Sequence, residues 1–228
     1  MKIISVLGTA SNVGKTTVAL YIIRNLLGST CNHGGQSWRL ADERAKRLGA
    51  LKITVRHEGV CPRHSTCDSC DAYGEPFKIV TDDDVIMEGG KDTARLSSSG
   101  ALKVVWLQTD SNVEGVGINT ALACFDNYDT LIVEGNSLLR VRDVDVAVLV
   151  ATPSVKKMKR SARLLLNKID LVAINIHAEH SLDQIRECKS ELGDLYSRGV
   201  PFFMINPYKE DTDSNRAFIE RIRDFLSD

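Results

Sequence analysis

The chain of 228 residues carries 29 Lys and Arg against 30 Asp and Glu, a formal net charge of −1. That balance excludes a generally basic nucleic-acid binder and a polycationic membrane-surface protein. With 43% hydrophobic and 26% charged residues the composition is that of an ordinary folded chain, not a disordered one.

In chain order, short β-branched apolar runs alternate with longer segments of helical period. The runs predict strands at 3–7, 51–56, 103–107, 130–134, 145–151, 171–176 and 200–205. The periodic segments predict helices at 15–27, 90–99, 113–125, 155–167, 181–197 and 211–226. Nearly continuous hydrophobicity within the runs fits strands buried on both faces, so the expected fold is α/β, a predominantly parallel sheet flanked by helices on both faces. No repeat, low-complexity tract or linker divides the chain, which predicts a single domain over 1–228. Two stretches interrupt the alternation. Residues 28–36 are small and polar before a short helix expected at 40–48, and residues 57–84 form an expected inserted loop carrying cysteines and the acidic run Asp82-Asp83-Asp84. The longest apolar stretches, such as 146–151, fall far short of the ~20 residues that span a bilayer. The start Met1-Lys2-Ile3-Ile4 runs straight into a strand pattern, so the expected location is cytoplasmic.

Between the first strand and the first helix, Gly8-Thr9-Ala10-Ser11-Asn12-Val13-Gly14-Lys15-Thr16 matches the phosphate-loop pattern of Gly, four residues, Gly, Lys and Ser/Thr, with Thr17 following. Glycines let the backbone N–H groups face a phosphate and the helix N-terminus adds its positive end. Lys15 spans β- and γ-oxygens, and the Thr16 hydroxyl reaches Mg²⁺. A magnesium site needs further oxygens, which Glu134 supplies at the end of the strand Leu131-Ile132-Val133-Glu134. Asp92, just after the Gly89-Gly90 turn, is a second candidate, with simple helix capping as its alternative. Lys15, Thr16, Glu134 and Asp92 are therefore the expected catalytic set.

Gly8 to Thr17, then Gly90-Lys91-Asp92-Thr93-Ala94-Arg95 with Gly100-Ala101, then Val133-Glu134-Gly135, resemble the accessory protein of molybdopterin-guanine dinucleotide biosynthesis. The resemblance covers most of residues 1–176 in order. It implies a phosphate-loop (P-loop) nucleotide-binding fold that binds a nucleoside triphosphate with Mg²⁺, forms a homodimer and assists a partner enzyme; the leading expectation is an accessory protein with slow hydrolysis that serves metal-cofactor assembly. The wording Gly8-Thr9-Ala10-Ser11 also resembles dethiobiotin synthetase and the cobyrinic acid amidating enzymes, which implies an alternative activity, phosphorylation of a small carboxylate. The cysteine-bearing insertion is a departure from the short accessory proteins.

Asn167-Lys168-Ile169-Asp170 spells the guanine-recognition pattern of GTPases, but it precedes a strand where that pattern should follow one. It is read here as a helix end entering the strand. The positional equivalent, Asn175-Ile176-His177-Ala178, lacks the guanine-reading Asp. Asn175 and Asn206 are then the candidate base contacts, with turn residues as the alternative. The residues lean towards ATP and the resemblance towards GTP.

Cys61, Cys67 and Cys70 have the spacing of thiolate ligands for Zn²⁺ or an iron–sulfur cluster. His57, His64, Cys31, His33 or a second subunit would supply a fourth ligand. Cys124 and Cys188 fall in helical patterns and are read as small core residues.

Overall fold

The computed structural model describes residues 1–28, 47–56, 75–154, 157–176, 180–209 and 212–227. Eight strands form one sheet: β1 (Lys2–Gly8), β2 (Leu48–Arg56), β3 (Phe77–Val80), β4 (Lys103–Asp110), β5 (Thr130–Glu134), β6 (Val146–Ala151), β7 (Leu171–Asn175) and β8 (Phe202–Ile205). Their order across the sheet is β3-β4-β2-β5-β1-β6-β7-β8. All pairs are parallel except β3 with β4. Helices α1 (Lys15–Leu26), α2 (Asp83–Ile86), α3 (Asp92–Ser98), α4 (Glu114–Ala123), α5 (Leu138–Val141), α6 (Arg160–Arg163), α7 (Leu182–Glu191), α8 (Gly193–Ser197) and α9 (Asp213–Ser227) connect and cover them.

Period-two alternation sorts the strand side chains into two cores. One face, with Ile4, Val6, Ala50, Val104, Ile132 and Val148, packs under α1, α3 and α9. The opposite face divides in two: Leu51, Leu107 and Val133 lie under α4, and Leu149 and Ile174 pack with Leu192 and Leu195 of the α7–α8 segment. From β1 the chain crosses to β2 on one side of the sheet, whereas β6, β7 and β8 extend on the other. The C-terminal end of β1 is therefore a topological switch point, where open α/β sheets form a crevice.

The structure departs from the expected elements at several places. Phe77–Val80, inside the expected loop, is a short antiparallel edge strand, and Asp82 caps α2 by accepting the N–H groups of Asp84 and Val85. The expected helix 155–167 is reduced to α6 and a 3₁₀ turn at Leu166–Lys168, because Lys159 gives its N–H to the Thr9 carbonyl (2.7 Å) and is drawn over the phosphate loop. The expected helix 181–197 breaks at Leu192, directly before Gly193, a residue that weakens a helix interior. Leu48, expected to end a helix, begins β2 by pairing with Thr130. Residues 40–46 of that expected helix lie outside the described residues, as do Cys31, His33, His57, Cys61, His64, Cys67 and Cys70. Of the remaining thiols Cys188 is buried, and burial pushes its pKa up; Cys124 ends α4 half-buried. Among the described residues no helix is long and apolar enough to cross a membrane.

Candidate functional site

The phosphate loop follows β1 and turns into α1 through backbone that few residues adopt. Asn12 has φ 59° and Gly14 φ 92°. A Cβ on Gly14 would lie 2.1 Å from Nδ2 of Asn175, so glycine is required there by conformation and by space. An amide clamps the entrance to the loop: the Gly8 N–H donates to Oδ1 of Asn136 (3.0 Å), and Nδ2 of Asn136 donates to the Gly8 carbonyl (3.1 Å). Across the loop, Nζ of Lys159 donates to Oγ of Ser11 (2.7 Å). The first N–H groups of α1 have no partner within the helix and point out of its positive end.

Beside the loop four side chains form one connected unit. Oγ1 of Thr16 donates to Oε2 of Glu134 (2.9 Å), and Nζ of Lys52 donates to Oε1 of Glu134 (2.8 Å) and to Oδ2 of Asp92 (2.7 Å). Glu134 is 3% exposed, and Gly135 after it, at φ 146°, lets the chain turn away close against Ile53. Asp92 stands in the first turn of α3 but spends its carboxylate on Lys52 and Arg95 instead of capping its own helix. Burial opposes the charge on Lys52, yet Glu134 and Asp92 outweigh it and hold the ammonium pKa above its ordinary value. Asp92 is likewise resisted by burial but held low by Lys52, with smaller help from Thr16 and Arg95. Lys15 differs: burial, with Lys52 and Lys159 adding to it, pulls its pKa down against the attraction of Glu134.

The expected catalytic residues Lys15, Thr16, Glu134 and Asp92 thus converge. Lys52 was missed, although its signal was present: one charge in the middle of an apolar strand on a sheet covered on both faces. Thr9 is buried, its N–H on the Val150 carbonyl (2.9 Å), and Ala10 and Val13 contribute backbone to the loop. Nζ of Lys15 lies 3.5 Å from the Ala10 carbonyl, and Thr17 accepts from Nη2 of Arg95 (3.1 Å).

Both asparagines expected to meet a base make one side-chain hydrogen bond within the protein, and Oδ1 of Asn175 is buried without a partner. Asn175 is 1% exposed and its Nδ2 donates to the Val13 carbonyl (3.1 Å), bracing the loop from behind. Oδ1 of Asn206 accepts the Tyr208 N–H (3.1 Å) as a turn residue. The run Asn167-Lys168-Ile169-Asp170 is structural, as its position predicts. Arg198 holds the carbonyls of Leu166 (2.7 Å) and Asn167 (3.0 Å), Lys168 pairs with Asp143, and Oδ2 of Asp170 accepts the Ala147 N–H (2.8 Å).

The loop and the four-residue unit open into a cleft of 610 Å³ over the C-terminal ends of β2, β4 and β5. Among the described residues six cations line it (Lys15, Lys52, Arg56, Lys91, Arg95 and Lys159), against two carboxylates, Asp92 and Glu134.

No protein-family model matches the chain, and no curated protein matches it in sequence. Solved structures do match. The LAO/AO transport system kinase aligns with TM-score 0.52 at 15% identity, over 100% of this chain and 59% of that one, so the chain spans about three-fifths of the kinase's length. The MinC:MinD cell division protein complex of Aquifex aeolicus aligns at 0.45 and 16% identity, over 100% and 97% of the two chains. A plasmid partition protein from Borrelia burgdorferi aligns at 0.44 and 12%, over 99% and 96%. At 15% identity the likeness to the kinase is one of fold alone: a mostly parallel α/β sheet flanked by helices, which in this chain carries the phosphate-loop pattern between β1 and α1.

Proposed function

We propose that the chain binds a nucleoside triphosphate with Mg²⁺ and cleaves its γ-phosphate slowly, as an accessory factor in the assembly of molybdopterin or another metal cofactor. The observation that carries the nucleotide reading is the unit Thr16–Glu134–Lys52–Asp92 set against the loop. Its oxygens are the hard donors that Mg²⁺ prefers, and the two carboxylates already converge on a cation, the Lys52 ammonium. Thr16, Glu134 and Asp92 would hold the metal, which when bound would draw charge from the phosphate oxygens. Lys15 and the N–H groups of the loop and of the first turn of α1 bind the β- and γ-phosphates and stabilise the charge that develops on the leaving diphosphate. Lys52, which lines the same cleft, would bring a further positive charge to that site. Asn175 and Asn206 remain the candidate base contacts of this reading, and the choice between ATP and GTP is left to the titration.

The assembly role rests on the Gly-Lys-Asp-Thr resemblance and on Cys61, Cys67 and Cys70, whose spacing suits Zn²⁺ or an iron–sulfur cluster. A homodimer and a partner enzyme belong to the same reading. The cation-lined cleft favours a second reading, transfer of the γ-phosphate to a small carboxylate.

Titration of the protein with ATP and GTP, with and without Mg²⁺, tests the proposal together with phosphate release by Glu134→Gln. The variant is expected to retain triphosphate binding and to lose about 100-fold or more of the Mg²⁺-dependent rate. Absence of triphosphate binding by the wild type would overturn the reading.

A further inference from the structure

On the face of the sheet beneath α3, strands β2 and β4 change character along their length. Leu48 and Ala50 of β2, and Val104 and Trp106 of β4, join the core. Beyond Ala50 the same face carries Lys52, Thr54 and Arg56 on β2, in register with Trp106, Gln108 and Asp110 on β4. A parallel sheet under a helical cover is ordinarily apolar throughout, and each buried polar group there costs stability unless it is satisfied. A polar row at the C-terminal ends of the strands, beside the switch point, has a ligand-binding position.

All of this row except Asp110 lines the cleft. Arg56 is 5% exposed and Lys91, from the turn before α3, 8%. Both line the cleft, whereas their carboxylate partners Asp110 and Glu88 do not and are more exposed to water. The carbonyl of Glu75 also receives Arg56, at 3.4 Å, so the guanidinium is held in place. Oγ1 of Thr54 accepts the indole N–H of Trp106 (3.0 Å), which leaves its own proton to donate. Gln108 is buried at 6% exposure, and Thr93, 3% exposed and lining the cleft, has a hydroxyl oxygen with no partner. Among the described residues cations and uncharged donors dominate the lining, and its carboxylates are Asp92 and Glu134.

We propose that this end of the cleft binds a small molecule with an anionic group at each end, and that this molecule accepts the γ-phosphoryl group. The proposal rests on the nucleotide reading above and names the second substrate of that site. One anionic end, a carboxylate or a phosphate, sits at Arg56 and Lys91 with hydrogen bonds from Gln108 and Thr93. The other end is a carboxylate near Lys52. Four residues of strand separate Lys52 from Arg56, about 13 Å at ~3.3 Å per residue, the reach of an extended aliphatic chain. A carboxylate oxygen attacks the γ-phosphorus, and the bond from that phosphorus to the β–γ bridging oxygen breaks. The electron pair leaves on the diphosphate, and the products are an acyl phosphate and a nucleoside diphosphate, with no proton to remove.

Calorimetry with α,ω-dicarboxylates from succinate to sebacate, and with the matching ω-phosphonocarboxylates, tests the site, run without nucleotide and with a non-hydrolysable triphosphate and Mg²⁺. Nucleoside diphosphate production is then followed with ATP and with GTP. One chain length is expected to bind, and to raise diphosphate production about tenfold. The more effective of the two series identifies the distal anion as carboxylate or phosphate. Arg56→Met and Gln108→Leu are each expected to weaken dianion binding about tenfold while triphosphate affinity stays within about twofold. Triphosphate binding with no dianion bound from either series, or dianion binding as tight as the wild type's in both variants, would overturn the proposal. Dianion binding without triphosphate binding would overturn the nucleotide reading and, with it, the acceptor role, leaving only an anion site.

Discussion

Strands β6 and β2 lie in the same sheet, one beside β1 and the other separated from it only by β5, and they are built in opposite ways. Every residue of β6, Val146–Ala151, is buried and apolar on both faces. In β2 the face beneath α3 begins apolar and ends in Lys52, Thr54 and Arg56. Both strands have the same parallel pairing and lie near the phosphate loop, so neither topology nor register explains the difference. A strand whose only task is to hold β1 in place gains most from uninterrupted apolar burial. A strand that lines a crevice trades part of that burial for groups that meet a ligand.

The sharpest way to break this contrast is to remove the charge at its centre. Lys52→Met leaves Glu134 and Asp92 facing each other in a largely buried site, and an uncompensated buried charge costs about 3 kcal/mol or more. The variant is expected to melt well below the wild type and to regain most of the loss on addition of Mg²⁺, because the freed carboxylates and Thr16 are a set of hard oxygen donors. Thermal unfolding with and without Mg²⁺ checks this, and a variant indifferent to Mg²⁺ would remove the cation site. Next in size is Lys15→Ala, which is expected to weaken triphosphate binding at least about 100-fold, or ~2.7 kcal/mol, while leaving the fold intact. Unchanged affinity in a fluorescent-nucleotide titration would remove Lys15 from the phosphate site.

The same contrast explains what was readable in the sequence. The phosphate loop, Glu134 and Asp92 were legible because each belongs to a local pattern: a glycine-spaced loop after a strand, a carboxylate ending an apolar run, an acid after a Gly-Gly turn. Lys52 was not, because its meaning lies in partners 40 and 82 residues away, which no local pattern links to it. Asn136, which clamps Gly8 across 128 residues, escaped for the same reason. The β6 half was easy, since a continuous apolar run has one reading. β3 was hidden because a four-residue edge strand with an exposed Lys78 carries too little pattern, and α6 fell short because Lys159 is captured by Thr9 and Ser11 of a distant loop.

A pair of near-isosteric substitutions measures the contrast itself. Val148→Thr in β6 introduces a hydroxyl at a fully buried position in an apolar cluster and is expected to cost about 1–3 kcal/mol. Gln108→Leu, on the polar row, removes a buried amide and is expected to change stability by less than about 1 kcal/mol in either direction. Chemical denaturation of the two variants gives both values, and equal costs would mean that the polar row is ordinary core.

The smallest effect is expected at Asp170, where the sequence imitates a guanine site. Burial raises the Asp170 pKa, with the Ala147 N–H and Arg198 pulling the other way, so ionisation of this carboxyl works against folding. Because the folded pKa lies above the unfolded one, the protonated form favours the fold at low pH. That contribution is lost as pH rises from the ordinary carboxylate range through the raised value. Asp170→Asn keeps an oxygen for the Ala147 N–H without the charge. Relative to wild type the variant should therefore gain stability as pH rises through that window, levelling off at no more than about 1 kcal/mol. Affinities for ATP and GTP are expected to stay within about twofold, whereas a true guanine-reading aspartate would lose its preference for GTP. A selective loss of GTP binding in this variant would return Asn167-Lys168-Ile169-Asp170 to the nucleotide site and require the chain after β6 to rearrange towards the cleft.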